Sequence, residues 1–82
     1  MKVNVDVIYQ ELNNELAGLP VPVAIAKLIL KIWDELTKTY VEDRAVQMIN
    51  EISMDIAGLP SPLATARLAN RYVELKMFND SP

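Results

Sequence analysis

ELAGLPVPVA (residues 15–24) recurs in closely related form as DIAGLPSPLA (residues 55–64), so that the two glycines of the chain, Gly18 and Gly58, stand forty positions apart. Aligned at that offset, residues 11–28 and 51–68 are identical at nine of eighteen positions, where unrelated segments would match at about one. We interpret the chain as a single domain, residues 1–82, made of two tandem units of period 40, residues 1–40 and 41–80.

The repeated stretch is typical of a helix that ends, turns and starts again. Gly18 suits the left-handed position that follows a helix, and Leu19 suits the apolar contact of a Schellman-type end. Pro20 prevents the helix from continuing, whereas Pro22 fits the first turn of the next helix. The second copy repeats this order and adds Ser61 as a candidate N-cap. Each unit is therefore predicted to be a rigid αα-corner or αα-hairpin.

Hydrophobic periodicity on both sides of the turns supports helices. Apolar residues recur at steps of three and four before each turn, at Val5, Ile8, Leu12 and Leu16 in the first unit and at Ala45, Met48, Ile49, Ile52 and Ile56 in the second. The predicted fold class is all-α, a compact four-helix domain built from two tandem αα-hairpin repeats.

Two local features leave alternatives open. Thr39 and Glu42 have the spacing of a capping box, which favours a break near residues 38–40, but no Gly or Pro lies there. A single long helix over residues 22–57, with helices 2 and 3 fused, is the alternative. The start of the chain alternates apolar and polar side chains, which is also typical of a short strand over residues 2–8.

Composition excludes several classes of function. The chain has 82 residues with no Cys and no His, which excludes disulfides, thiolate or imidazole metal sites and histidine-based catalysis. No catalytic residue, metal ligand set or cofactor motif is predicted. A net charge of −3 argues against a nucleic acid or an anionic membrane as the main partner. The longest apolar stretch is interrupted by Lys27 and Lys31, so we expect a soluble, cytoplasmic protein without a membrane span.

Charged residues also recur in the two units. Counting back from each turn places Glu11 opposite Lys27 and Glu51 opposite Arg67, which predicts interhelical ion pairs. The carboxylates, which include Glu15 and Asp55, resemble the inward ligands of di-metal bundles only in number, because no His accompanies them. The basic side chains also form a candidate anion-binding set, made of Lys27, Lys31, Arg67 and Arg71. We favour pairing with nearby acids, because no glycine-rich loop accompanies the basic residues.

The predicted helix over residues 22–38 carries more apolar side chains than one core face requires. Its polar residues occupy a narrow arc, and a second apolar surface remains, which we call the α2 flank: Val23, Ala26, Leu30 and Trp33. Exposed apolar side chains around a Trp, without charge, are typical of a protein interface. The alternative is a central helix that is buried on both sides.

These observations favour a non-catalytic protein-binding module, such as an inhibitor, adaptor or regulator, with a protein partner and a homodimeric state formed through the α2 flank. Leu30 corresponds to Asn70 in the second unit, which suggests that only the first unit faces a partner. As an alternative, a strand at 2–8 followed by two helices resembles the ribbon-helix-helix order of certain DNA-binding regulators over about 36 residues. That resemblance implies a transcriptional regulator whose ribbon enters the major groove.

Overall fold

Four helices make up nearly all of the computed structural model, which describes residues 4–81. They are α1 (Val5–Leu16), α2 (Val21–Thr39), α3 (Glu42–Ile56) and α4 (Ser61–Asp80). Between residues 4 and 81 there is no strand. The prediction of an all-α protein with four helices is confirmed.

The first helix begins at Val5, because Asn4 caps it. The Asn4 side-chain oxygen accepts hydrogen bonds from the backbone N–H groups of Asp6, at 2.9 Å, and Val7, at 3.4 Å. Ile8 is buried on the inner face of this helix. The alternative of a strand over residues 2–8 is therefore wrong from residue 4 onward, and residues 2 and 3 lie outside the described range. Capping and burial at helical spacing outweigh the alternation of the valines.

The two glycine turns are type II β-turns rather than Schellman ends. Ala17 has φ −58° and ψ 131°, Gly18 has φ 78°, and the Leu19 N–H donates to the Leu16 carbonyl at 3.1 Å. The turn at Gly58 has the same form, with φ 81° and a matching 3.1 Å hydrogen bond. The prediction of left-handed glycines is confirmed, and the Schellman pattern is wrong because the residue before each glycine is already extended.

Both long helices begin one residue earlier than the cap prediction placed them. Pro60 occupies the N-cap position of α4 and its carbonyl accepts from the Ala64 N–H at 2.9 Å. Ser61 is the first helical residue, and its carbonyl accepts from the Thr65 hydroxyl at 2.8 Å. The Ser61 cap prediction is thus wrong, since Pro62 fits the second helical position as well as the first.

A two-residue link separates α2 from α3, so the folded single chain does not contain the fused helix over residues 22–57. The predicted break near residues 38–40 is confirmed, because α2 ends at Thr39. Tyr40 and Val41 are extended, and Val41 caps α3 without a side-chain hydrogen bond. The predicted capping box is wrong, since the Thr39 hydroxyl instead donates to the side chain of Asn79.

The core lies mainly between the first helix pair (α1 and α2) and the second helix pair (α3 and α4). The largest contact joins α2 to α4, while α1 packs on α4 and α3 packs on α2. The most buried large side chains are apolar and come from three helices: Leu12, Leu28, Ile32, Leu36 and Leu68. The Cα atoms span 35 × 30 × 15 Å, so the bundle is about two helix layers thick, given interaxial distances of roughly 10 Å.

Candidate protein-binding surface

Three of the four residues of the α2 flank lie at the surface. Val23 is 49% exposed and Leu30 is 65% exposed. Ala26 lies exposed between them, and Trp33 is half-buried against the core. The alternative of a helix buried on both sides therefore fails at Val23, Ala26 and Leu30. Whether this surface binds a protein stays a prediction.

Helix geometry explains why one short segment is both core and surface. Leu28 and Ile32 are fully buried one turn apart. Leu30 lies two residues from each, about 200° around the helix at 100° per residue. Because α4 and α3 cover the Leu28 side of α2, the Leu30 side remains uncovered. The apolar residues of α2 that exceed what one core face requires are therefore exposed, and they form most of the α2 flank.

The corresponding position on α4 has a polar partner within the chain. The Tyr9 hydroxyl donates to the Asn70 side-chain oxygen at 2.6 Å, which joins α1 to α4. Asn70 is exposed like Leu30. Its polarity thus has an internal role, which sequence comparison of the two units alone did not suggest.

Lys27 and Lys31, the two basic residues of the set that lie on α2, are only partly engaged in ion pairing. Lys31 Nζ lies 2.5 Å from Glu15 Oε2 and 5.0 Å from the centre of the Tyr72 ring. Burial opposes the charged form of Lys31, but the hydrogen bond to Glu15 and the proximity of Tyr72 outweigh it, so the pKa of Lys31 is raised. Within residues 4–81, Lys27 makes no ion pair with Glu11. The predicted interhelical pair is therefore wrong, and the ion pair forms instead between Glu15 and Lys31, each one turn along its helix from the predicted residue.

Arg67 and Arg71, the two basic residues of the set that lie on α4, line a groove of 410 Å³ between α3 and α4. Arg71 Nη1 lies 3.6 Å from Glu74 Oε2, and Arg71 Nε is buried without a hydrogen-bond partner in the described part of the chain. The floor is apolar, and the charged lining residues are Glu51, Asp55, Arg67, Arg71 and Glu74. No ion pair joins Glu51 to Arg67 among residues 4–81, contrary to the prediction.

The four basic residues of the predicted anion-binding set do not share one site. Arg67 and Arg71 line the groove, whereas Lys31 is paired with Glu15 on another surface. Two positive and three negative side chains line the groove, so its net charge is −1. This local charge disfavours a phosphate, and anion binding stays a prediction.

A buried carboxylate that the sequence analysis did not single out lies where α2 meets α4. Glu35 is 4% exposed. Its Oε2 accepts from Lys38 Nζ at 2.8 Å, and Asn79 Nδ2 donates to its Oε1 at 3.1 Å and to its backbone carbonyl at 2.9 Å. Burial raises the pKa of Glu35, but these hydrogen bonds and the charge of Lys38 outweigh it and leave the pKa below its ordinary value. In the sequence, the i,i+3 spacing of Glu35 and Lys38 was the feature that could have indicated this pair.

Neither a metal cluster nor a membrane span is found between residues 4 and 81. No three Asp or Glu side chains there converge in a way that could hold an ion. None of the four helices combines the length and apolar character that a bilayer crossing requires. Comparison with family models, with curated proteins and with solved structures gives no match.

Proposed function

We propose that the protein is a small non-catalytic protein-binding module, acting as an inhibitor, adaptor or regulator, and that it forms a homodimer through the α2 flank. The observation that carries this proposal is the exposed apolar stripe on α2, where Val23 and Leu30 lie in solvent beside the half-buried Trp33. An exposed apolar patch next to an aromatic anchor is a favourable centre for an interface.

The charges beside the α2 flank support a second copy of the chain as its partner. Lys27 and Asp34 are exposed on α2 on either side of Leu30. In an antiparallel pairing of two α2 helices, centred between residues 30 and 31, Lys27 of each copy lies opposite Asp34 of the other. Ala26 permits close approach of the helices, and two-fold pairing is the commonest assembly of soluble proteins. Both the apolar centre and its charged rim are then self-complementary.

The two helix pairs are, in this proposal, tandem repeats of period 40 related by a pseudo-two-fold axis. Supporting this, residues 11–30 and 51–70 are alike, position by position, in being buried, half-buried or exposed. The helix bounds Leu16 and Val21 also recur forty residues later at Ile56 and Ser61. The α2 flank is then the place where the first repeat departs from the second, through Leu30 in place of Asn70.

Charge introduced at the centre of the flank tests the proposal. Leu30→Asp should reduce dimerisation by tenfold or more, because two buried carboxylates would face each other across the two-fold axis. The fold should be retained, since Leu30 is already exposed. Light scattering after size exclusion, at high micromolar concentration, should give twice the chain mass of 9.2 kDa for the wild type and the chain mass for the variant.

Asn70→Asp is the matched control. It introduces the same charge at the corresponding position of α4, and its carboxylate can still accept the Tyr9 hydroxyl hydrogen bond. This variant should remain dimeric. A wild-type mass of one chain at every concentration would contradict homodimerisation and leave the α2 flank to a different protein.

A further inference from the structure

The contacts between the first and the second helix pair are more extensive than the contacts within either pair. The packing of α2 on α4, of α1 on α4 and of α3 on α2 joins the first helix pair to the second. Within residues 4–81, α1 makes little contact with α2, although the two are consecutive. Nearly the whole core is therefore an interface between two parts of one chain, joined only by Tyr40 and Val41.

This link is short and close to helical. Helical hydrogen bonding continues to its first residue, because the Tyr40 N–H donates to the Leu36 carbonyl at 2.9 Å. The next helix has its first bond from the Ala45 N–H to the Val41 carbonyl, also at 2.9 Å. Only the extended torsions of Tyr40 (ψ 147°) and Val41 (ψ 157°) separate the two helices. No glycine or proline occupies the link.

Straightening the link would satisfy backbone groups that now lack helical partners. The N-terminus of α3 has no side-chain cap. In a continuous helix over residues 21–56, about four N–H groups at this junction would pair with carbonyls of the last turn of α2. Such a helix has thirty-six residues and would be roughly 54 Å long. The folded chain is 35 Å in its largest dimension, so one chain cannot contain this helix and keep its core.

We propose that the chain exchanges helix pairs with a second copy of itself, with Tyr40 and Val41 as the hinge. In the exchanged dimer, α2 and α3 of each copy form one helix, and the first helix pair of one copy packs on the second helix pair of the other. The interface between the pairs is reused unchanged, and short hinges favour such swapping. This inference concerns a different surface from the α2 flank and does not depend on dimerisation there.

Val41→Pro is the sharpest test, because it fits the folded chain and not the straightened one. Val41 has φ −62°, and Tyr40 before it is extended, as a residue preceding proline prefers. Val41 donates no backbone hydrogen bond within residues 4–81. In a continuous helix, proline at this position would break the chain of hydrogen bonds. After refolding at high concentration, the exchanged dimer should fall at least tenfold in Val41→Pro and rise several-fold in Val41→Ala.

The distance between two spin labels placed on either side of the hinge reports its conformation directly. The chain has no native cysteine, so both labels can be attached at introduced cysteines. Cysteines replace the exposed Lys27 and Met54, and labelled chain is diluted into an excess of unlabelled chain before refolding. The within-chain distance should be about 40 Å across a continuous helix. In the folded chain the extended link turns α3 out of line with α2, so the distance there should be shorter.

The outcomes separate this inference from the proposed function. A dimer that survives Leu30→Asp, disappears in Val41→Pro and has the long label distance supports exchange. A dimer that disappears in Leu30→Asp and survives Val41→Pro overturns exchange and supports the α2 flank. A refolded wild type that stays monomeric at high concentration, with the short label distance, overturns exchange as well.

Discussion

Gly18 and Gly58 are suited to the turns because of their backbone torsions, and not because a larger side chain would clash with its surroundings. Each has a positive φ, and a Cβ added at either would have no heavy atom within 4 Å other than its chain neighbours. An L side chain is therefore strained at these sites only by its own backbone. The two turns can be tested as a matched pair.

Gly18→Ala and Gly58→Ala should each lower the free energy of unfolding by about 1 kcal/mol, because a Cβ is strained in the left-handed region. Urea unfolding followed by circular dichroism measures both. D-alanine introduced by chemical synthesis at either site is the control, since it prefers positive φ and should be neutral or stabilising. Equal stability of both L-alanine variants and the wild type would contradict the turn geometry.

At the scale of elements, the Glu35 network joins the ends of the two longest helices. The Asn79 side chain donates to both the carboxylate and the backbone carbonyl of Glu35, so it ties α4 to the last turns of α2. Lys38 balances the buried charge. The arrangement lies beside the link to α3 and holds α2 in place just before its end.

Glu35→Gln should lower stability by about 1 kcal/mol at pH 7, since a charge-assisted hydrogen bond is lost. The folded-state pKa of Glu35 lies below its ordinary value of 4.5, so its contribution is present above pH 4.5 and is lost as the pH falls through the lowered pKa. The ordinary Glu pKa of 4.5 lies inside the range from about pH 6 to about pH 3. Over this range the variant should therefore lose less stability than the wild type. Urea midpoints across this range provide the measurement.

Glu11→Gln serves as the control for that measurement. Glu11 is exposed and makes no ion pair among residues 4–81. Its variant should follow the wild-type loss of stability on acidification. The same pH dependence in Glu35→Gln and the wild type would show that the buried carboxylate is not the group responsible.

For the whole molecule, the position of the core predicts how fragments behave. Residues 1–40 and 41–82 as separate peptides should have little helix at low micromolar concentration, because helices of this length are marginal without tertiary packing. Mixed in equal amounts, they should regain helix, since α4 and α2 then bury each other. Far-UV circular dichroism measures the gain. Leu28→Asp in the first peptide places a charge at a fully buried position and should abolish it. A first peptide that is fully helical alone would contradict this account.

The sequence by itself determined the features that depend on neighbouring residues. The positive φ of Gly18 and the stop at Pro20 follow from local sterics, and the repeat made the second turn as predictable as the first. The four helices followed from apolar spacing in the same way. Cap positions were predicted less well, because extended and helical torsions both suited Ser61 and Thr39.

Only the tertiary structure decided which side chains meet between helices. Lys31 pairs with Glu15 between the consecutive helices α1 and α2, and Glu35 is buried between α2 and the distant helix α4. Both contacts depend on the register at which the helices pack. Packing of whole apolar faces sets that register, and a shift of one turn leaves the sequence pattern unchanged. The α2 flank depends on both the sequence and the tertiary structure. Periodicity identified its apolar residues, and the positions of α3 and α4 left three of the four at the surface.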